Sequence, residues 1–272
     1  MLALVVSVAS ADVEVASDVL WSLGVVAIEE RDAAGAVELW TSLGDGEPAT
    51  TAVLAERLSP WPWRFVEIDE SVADNWRHHA EPVWIDTDLV ICPAWVPFSR
   101  PGVTTVTIEP GSTFGLGDHP TTILSMRAVR AEIATRQRPS VLDVGCGSGV
   151  LSVGACLLGA SHARAIDISP ASVPATTANA AANGVAGLVD VSTTPLAAVD
   201  GRFDIVVANI LAPTLIELAP HLRRVVDRSG VLIVSGVLSD RHQHVEEALL
   251  PFRRTSRTTL DAWAALTFVP GD

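Results

Sequence analysis

A short apolar run that ends in three closely spaced glycines constrains this chain more than any other feature. Residues 141–144 have the composition of a buried strand, glycines follow at positions 145, 147 and 149, and an apolar segment begins at Val150. Glycine permits a sharp turn with positive φ and a close approach of the backbone to a ligand. A helix that begins directly after the turn points its unpaired N–H groups and the positive end of its dipole at the same place. The segment therefore predicts a strand–turn–helix unit with a ligand at the turn.

The C-terminal half of the chain alternates strand-like and helix-like segments around this unit. Further strands are predicted over 164–168, 189–192, 205–208 and 231–235. Such alternation is typical of an α/β fold in which a parallel sheet is wound with helices on both faces. Ligands of open α/β sheets bind outside the carboxyl ends of the strands, where the glycine turn is expected to lie.

The first part of the chain predicts a separate small α+β domain, and 272 residues suffice for two domains. Its elements are predicted as a strand over 2–8, a helix over 12–23, a hairpin of 25–31 and 36–41 that turns at 34–35, a helix over 51–58 and a strand over 63–69. This β-α-β-β-α-β order corresponds to a ferredoxin-like unit. We place this domain at 1–68, a Trp- and Pro-rich connector at 69–103 and the ligand-binding domain at 104–272. Within the connector we predict a short helix at 75–79 and a strand at 88–93.

Composition excludes several classes of protein. The net charge of −14 disfavours direct binding to nucleic acid, because that attraction comes from clustered Lys and Arg, and it favours a basic partner. Three cysteines without CxxC spacing indicate neither a disulfide framework nor a zinc site, so we expect no metal and a reducing cytoplasm. The apolar start of the chain lacks a basic leader region, and no apolar run reaches the roughly 18 residues of a membrane span. We expect a soluble cytoplasmic monomer.

The spacing of the glycines distinguishes between ligands. A dinucleotide-binding loop spaces its glycines GxGxxG, whereas this chain has GxGxG with Asp143 before it. Asp167 ends the next predicted strand, 22 residues after Gly145, where a carboxylate accepts both hydroxyls of a ribose. The alternatives are a glycine turn without a ligand, a nucleotide diphosphate site, and an Asp167 that caps the following helix, a role that Ser169 suits better.

A third strand end adds a polar group to the same edge of the sheet. The apolar run 203–208 ends at Asn209, an unusual residue for that position. The amide oxygen of Asn209 is suited to accept a hydrogen bond from an amine and to orient the nitrogen lone pair. The alternative is an asparagine that caps the loop.

These segments resemble the class I S-adenosylmethionine (AdoMet)-dependent methyltransferases and, in detail, the ribosomal protein L11 methyltransferase (PrmA) family. The resemblance lies in FGLGDHPTT at 114–122, the glycine motif at 143–149, IDISP at 166–170, VVANIL at 206–211 and DLVICPAW at 88–95. The N-terminal domain corresponds to the substrate-recognition domain of that family by order of elements. The resemblance implies a cofactor site made of the following residues: Phe114, Gly115, Thr122, Asp143, Gly145, Gly147, Gly149, Asp167 and Asn209.

The same resemblance implies a protein N-methyltransferase that uses AdoMet and modifies lysine or N-terminal amines of ribosomal protein L11. Asn209, with the backbone carbonyl of Ile210, is the predicted catalytic group that orients the amine. His119 is the candidate general base, and its alternative role is to hold the loop. Two other functions remain open: a related methyltransferase that acts on another protein or a small amine, and an AdoMet-binding module without catalysis.

Overall fold

The structure, a computed structural model, describes residues 2–23, 25–33, 35–43, 51–67, 80–111, 113 and 115–271. The chain divides into two compact units, residues 1–80 and residues 81–272. The helix predicted at 75–79 lies outside the described residues, as does the loop residue Phe114.

The first unit is a four-stranded antiparallel sheet, among the described residues, with helices on one face. Its elements are β1 Leu2–Val8, a 3-10 helix Ser10–Asp12, α1 Val13–Ser22, β2 Val25–Ala33, β3 Ala36–Leu43, α2 Thr51–Arg57 and β4 Trp63–Glu67. The strand order is β2-β3-β1-β4. Leu4, Val6 and Val8 alternate along β1 and pack with Leu20 of α1 and Leu54 of α2. The predicted ferredoxin-like order of elements is confirmed.

The second unit holds two sheets. Its strands are β5 Val83–Asp86, β6 Leu89–Pro93, β7 Thr104–Ile108, β8 Ser140–Val144, β9 His162–Ile166, β10 Val189–Ser192, β11 Phe203–Asn209, β12 Val226–Leu238, β13 Arg253–Leu260 and β14 Trp263–Val269. Its helices are α3 Pro120–Ala134, α4 Val150–Leu157, α5 Ser172–Ala182, a 3-10 helix Leu196–Ala198, α6 Ala212–Val225 and α7 Gln243–Ala248.

The larger sheet has the order β10-β9-β8-β11-β12-β14-β13 in the part of the chain that the structure describes. The strands from β10 to β12 run parallel, as the sequence predicted, whereas β14 runs antiparallel to both neighbours. The carboxyl ends of β8, β9 and β11 therefore meet at one edge. The α/β class with a Rossmann-like sheet is confirmed, and the sheet is mixed rather than wholly parallel.

The last two strands were not predicted. β13 has the sequence RRTSRTTL and is exposed along nearly its whole length, so it carries no apolar alternation that marks a strand. It lies at the edge of the sheet and, among the described strands, pairs only with β14. Its strand conformation depends on that partner.

The smaller sheet has the order β5-β6-β7. Its first two strands lie in the segment whose sequence predicts a connector, and β7 follows that segment. The strand predicted at 88–93 is present as β6, and its five residues are all buried. Leu89, Ile91 and Val106 share a hydrophobic core with Met126 and Val129 of α3. The structure therefore assigns residues 81–103 to the second unit, because tertiary packing buries a segment whose Trp and Pro content suggested a linker.

None of the helices in the described ranges is long and apolar enough to cross a membrane.

Candidate active site

The glycine turn after β8 folds back over the end of the neighbouring strand. Gly145, Gly147 and Gly149 have φ values of 77°, 53° and 79°, which disfavour residues with a side chain. The N–H groups of Gly145 and Cys146 both donate to the carbonyl of Ile166, at 2.8 and 3.1 Å. A Cβ at Gly149 would lie 2.6 Å from Thr176 Cγ2, so the turn has no room for one. Gly149 is the N-cap of α4, as predicted for a turn that leads into a helix.

Asp167 is the first residue after β9 and is fixed against the turn. Its Oδ2 accepts a hydrogen bond from the N–H of Gly147 at 2.8 Å, and its Oδ1 accepts one from the N–H of Ser169 at 2.8 Å. The N-cap of α5 is Ala171, so neither Asp167 nor Ser169 caps that helix. Each carboxylate oxygen keeps lone pairs for a further donor. This is the arrangement that a pair of ribose hydroxyls needs.

Asp143 is buried at the end of β8, one residue before Val144 and the turn. Its Oδ2 accepts hydrogen bonds from the N–H and the hydroxyl of Ser152, at 3.1 and 2.7 Å. Its Oδ1 is buried and has no partner among the described residues. Burial raises the pKa of Asp143 to about 7, against the bonds from Ser152, which lower it. An unpartnered buried carboxylate oxygen of this kind is a ready acceptor for an ammonium group.

Asn209 ends β11 and pairs in register with Ser235 of β12. Its half-buried side chain forms no hydrogen bond with any described residue, and the N-cap of α6 is Leu211 without a side-chain bond. Asn209 therefore does not cap the helix that follows. Its position is set by the next residue, Ile210, which is wedged between two glycines. A Cβ at Gly145 would lie 2.4 Å from Ile210 Cγ2, and a Cβ at Gly236 would lie 2.3 Å from the carbonyl oxygen of Ile210.

The loop before α3, which we call the glycine loop (described residues 110, 111, 113 and 115–118), lies against the glycine turn. The hydroxyl of Ser148 donates to the carbonyl of Gly115 at 2.7 Å. Gly115 and Gly117 have φ values of 106° and 112°. A Cβ at Gly115 would lie 2.8 Å from Ser148 Oγ, and one at Gly117 would lie 2.4 Å from Ile91 Cγ2. The loop is thus moulded onto the turn and onto β6.

His119 closes the glycine loop by capping α3. Its Nδ1 lies 2.7 Å from Thr121 Oγ1 and accepts from the N–H of Thr121 at 3.3 Å. Its ring packs edge-on against Trp263, with 5.1 Å between ring centroids. Burial lowers the pKa of His119, opposed by the charge of Asp118, and so favours the neutral form of the ring. The bonds of Nδ1 favour the loop-holding role over that of a general base.

The described groups at this edge suit a cationic ligand with a ribose. Thr122 Oγ1, like Asp143 Oδ1, is buried and without a partner in the described part of the chain. The two carboxylates of the turn, Asp143 and Asp167, favour a positive charge and oppose a diphosphate. The residues therefore fit AdoMet, which carries a sulfonium, an ammonium group and a ribose.

Several residues that build the site were not identified from the sequence. Ser152 holds Asp143, Ser148 holds the glycine loop, and Thr176 donates to the carbonyl of Gly147 at 3.1 Å. Asn179, 2% exposed, donates to the carbonyl of Ser148 at 2.9 Å. The one available signal is that polar residues stand at positions of α4 and α5 that face the core.

Comparison with known proteins identifies one matching family and several relatives. The family described as Ribosomal protein L11 methyltransferase (PrmA) matches residues 62–270. The protein named Ribosomal protein L11 methyltransferase from Geobacter sulfurreducens is 45% identical over 181 residues, which cover 66% of this chain and 58% of that protein. The protein of the same name from Geobacter metallireducens is 38% identical over 231 residues, 84% of this chain and 72% of that one. The match to the first of these relatives thus spans less than two thirds of its length.

A solved structure agrees with these relatives. The crystal structure of the ribosomal protein L11 methylase from Lactobacillus delbrueckii subsp. bulgaricus superposes with a TM-score of 0.66 at 33% sequence identity. The superposition covers 71% of this chain and 100% of that chain.

Proposed function

Because this chain belongs to the ribosomal protein L11 methyltransferase (PrmA) family, we propose that it is an AdoMet-dependent enzyme that methylates amines of ribosomal protein L11. The observation that carries this proposal is the convergence of three strand ends. The glycine turn and Asp167 follow β8 and β9, and Asn209 is the last residue of β11; the three strands are adjacent in the sheet. A cofactor site and an amine-orienting amide thus share one edge.

Different residues at this edge bind different parts of the cofactor. Asp167 binds the two ribose hydroxyls through the lone pairs that Gly147 and Ser169 leave available. Asp143 and the glycine turn receive the methionine end, and the glycine loop with Gly115 covers it. Thr122 contributes its buried hydroxyl. Phe114, which the family resemblance also assigns to the methionine end, lies outside the described residues.

Methyl transfer from AdoMet requires little covalent chemistry from the protein. AdoMet supplies a methyl group that is already activated on a sulfonium sulfur. The amide oxygen of Asn209 and the carbonyl of Ile210 accept hydrogen bonds from the substrate amine and hold its lone pair in line. The amine loses its proton before it reacts, and desolvation favours that loss because it disfavours a charged amine. His119, which caps α3, acts as a support of the loop in this scheme and not as a base.

Charge distribution supports a basic protein substrate. Residues 1–80 contain 14 Asp and Glu against 4 Arg, whereas residues 81–272 contain 18 against 14. The first unit therefore carries most of the net negative charge in less than a third of the chain. We assign substrate recognition to this unit, because an acidic surface attracts a basic ribosomal protein over long range. The enzyme acts as a cytoplasmic monomer in this proposal.

Asn209→Ala tests the proposal. Calorimetric binding and methyl transfer to L11 from the same organism are measured on wild type and variant, with Ser192→Ala at the end of β10, the far edge strand of the same sheet, as the control. We expect AdoMet binding within about threefold of wild type and a loss of transfer of about 100-fold or more, because the variant removes amine orientation and leaves the other residues of the cofactor site in place. Binding without transfer in the wild type would indicate a binding module, and transfer to other proteins or to small amines alone would overturn the assignment of L11.

A further inference from the structure

The open edge of β7 is covered by two amide side chains instead of a strand. Thr107 and Glu109 are two residues apart, so their N–H and C=O groups point to the same side. Asn183 accepts from the N–H of Thr107 at 2.9 Å and donates to its carbonyl at 2.7 Å. Asn179 does the same for Glu109, at 2.9 Å in both directions. Asn179 lies on α5 and Asn183 is the C-cap of that helix, four residues later and on the same face, so this face of the helix replaces a paired strand.

The two asparagines differ in their third hydrogen bond. Nδ2 of Asn183 donates to the carbonyl of Asn179, within the same helix, at 2.7 Å. Nδ2 of Asn179 donates to the carbonyl of Ser148, within the glycine turn, at 2.9 Å. Ser148 in turn holds Gly115 of the glycine loop. Asn179 therefore joins the strand that leads into the glycine loop to the turn on which that loop lies.

The glycine loop is consequently fixed at its entry, its middle and its exit. Asn179 holds Glu109 just before Pro110, Ser148 holds Gly115, and His119 caps α3 where the loop ends. Glycines at 115 and 117 give the backbone of this loop wide conformational freedom, so these three contacts, together with the packing of Gly117 against Ile91, hold it in position. Of the three residues that make these contacts, only Asn179 belongs to another helix and also binds the glycine turn, among the described residues.

We propose that Asn179 is a positioning residue for cofactor binding, which sets the glycine loop and the glycine turn at the separation that encloses one ligand. This inference rests on the proposed function. Without the contact of Asn179 the loop spends less time in the binding-competent position, and the apparent affinity falls by that fraction. The groups that face the reacting atoms are unchanged, so turnover at saturating cofactor is retained.

Asn179→Ala and Asn183→Ala form a matched pair, because each removes one amide and three hydrogen bonds from the same face of α5. We expect both to lower Tm by a similar amount, about 4–8 °C. We expect the Kd of AdoMet to rise about tenfold in Asn179→Ala and by less than about twofold in Asn183→Ala, with kcat at saturating AdoMet within about threefold of wild type in both. Amide hydrogen exchange at 115–118, measured without ligand, should increase only in Asn179→Ala.

Equal effects of the two variants on AdoMet affinity and on exchange at 115–118 would overturn the positioning role and leave both asparagines as supports of β7. Failure of the wild type to bind AdoMet would count against the proposed function, while the exchange experiment would still decide whether Asn179 holds the loop. If the alanine variants do not fold, Asn179→Asp and Asn183→Asp replace them. The aspartates keep the volume and the acceptor, lose the donated bonds and add a negative charge at both positions alike, so the same difference between the two positions is expected.

Discussion

At the scale of single residues, Asp143 is the least ordinary group of the site. A carboxyl that is 1% exposed, with one oxygen lacking a partner in the described structure, is disfavoured in its charged form. Its pKa of about 7 lies above the value of about 4 in an unfolded chain. Above pH 7 the folded apoprotein therefore bears the cost of a buried charge. We expect the buried carboxylate of Asp143 to bind a cationic ligand strongly, because the ligand supplies the missing partner.

This raised pKa predicts a pH-dependent stability. Between pH 4 and pH 7 the folded protein holds a proton on Asp143 that the unfolded chain has lost, so the contribution of Asp143 to stability falls as pH rises. We expect Asp143→Asn to gain stability relative to wild type by up to about 4 kcal/mol between pH 4 and pH 8. Urea unfolding of both proteins without ligand, at several pH values, measures the difference. A difference that does not change with pH would contradict the assignment.

Asp167 should control cofactor affinity. Asp167→Ala removes an acceptor for two hydroxyl donors and leaves the N–H of Gly147 without its partner. Two hydrogen bonds to a charged group correspond to about 3–5 kcal/mol, so we expect AdoMet to bind about 100-fold or more weakly. Isothermal calorimetry measures the change. Asp190→Ala, an exposed carboxylate on the neighbouring strand β10, is the control and should bind as wild type does.

At the scale of elements, the glycine turn is defined by what surrounds it as well as by its own backbone. Gly145 and Gly184 have similar φ values of 77° and 70°. A Cβ at Gly145 would lie 2.4 Å from Ile210 Cγ2, whereas a Cβ at Gly184 meets nothing within 4 Å. Alanine substitutions at these two glycines therefore separate the cost of backbone strain from the cost of the clash with Ile210.

We expect Gly184→Ala to lower the free energy of unfolding by about 1–2 kcal/mol, from backbone strain alone. Gly145→Ala should cost about 1–3 kcal/mol more, because Ile210 must also move. It should reduce methyl transfer as well, since Ile210 positions Asn209. Denaturant unfolding and transfer assays compare the two variants. If both variants lost the same free energy of unfolding and had the same transfer activity, the position of Ile210 would not depend on Gly145.

The elements also show what the sequence can and cannot predict. The glycine turn, Asp167 and Asn209 were identified because each follows an apolar strand, and parallel strands place such residues at one edge. The long-range contacts of Asn179, Asn183 and Ser148 join side chains to backbone groups 31 to 76 residues away, and no local periodicity encodes them. β5 and β13 escaped prediction for a related reason, because each gains its strand conformation from a partner and carries little alternation of its own.

At the scale of the whole molecule, the uneven charge makes the proposed recognition of a basic protein testable with salt. An attraction between the acidic first unit and a basic protein is screened by salt, with a Debye length of about 10 Å at 0.1 M. We expect the KM for L11 to rise about five- to tenfold between 50 and 500 mM NaCl. The Kd of AdoMet, a small ligand held by short-range contacts, should change by less than about threefold and serves as the control. A KM that does not respond to salt would exclude charge as the basis of recognition.

We propose that a methyl group passes from AdoMet to amines of ribosomal protein L11 at the convergent ends of β8, β9 and β11. The most direct measurement is incubation of the purified protein with isotopically labelled AdoMet and L11 from the same organism, followed by mass spectrometry of the L11 peptides. We predict label on lysine side chains or on the N-terminal amine, and its loss with Asp167→Ala. AdoMet binding with no label on L11, or label that persists in the Asp167 variant, would contradict the account.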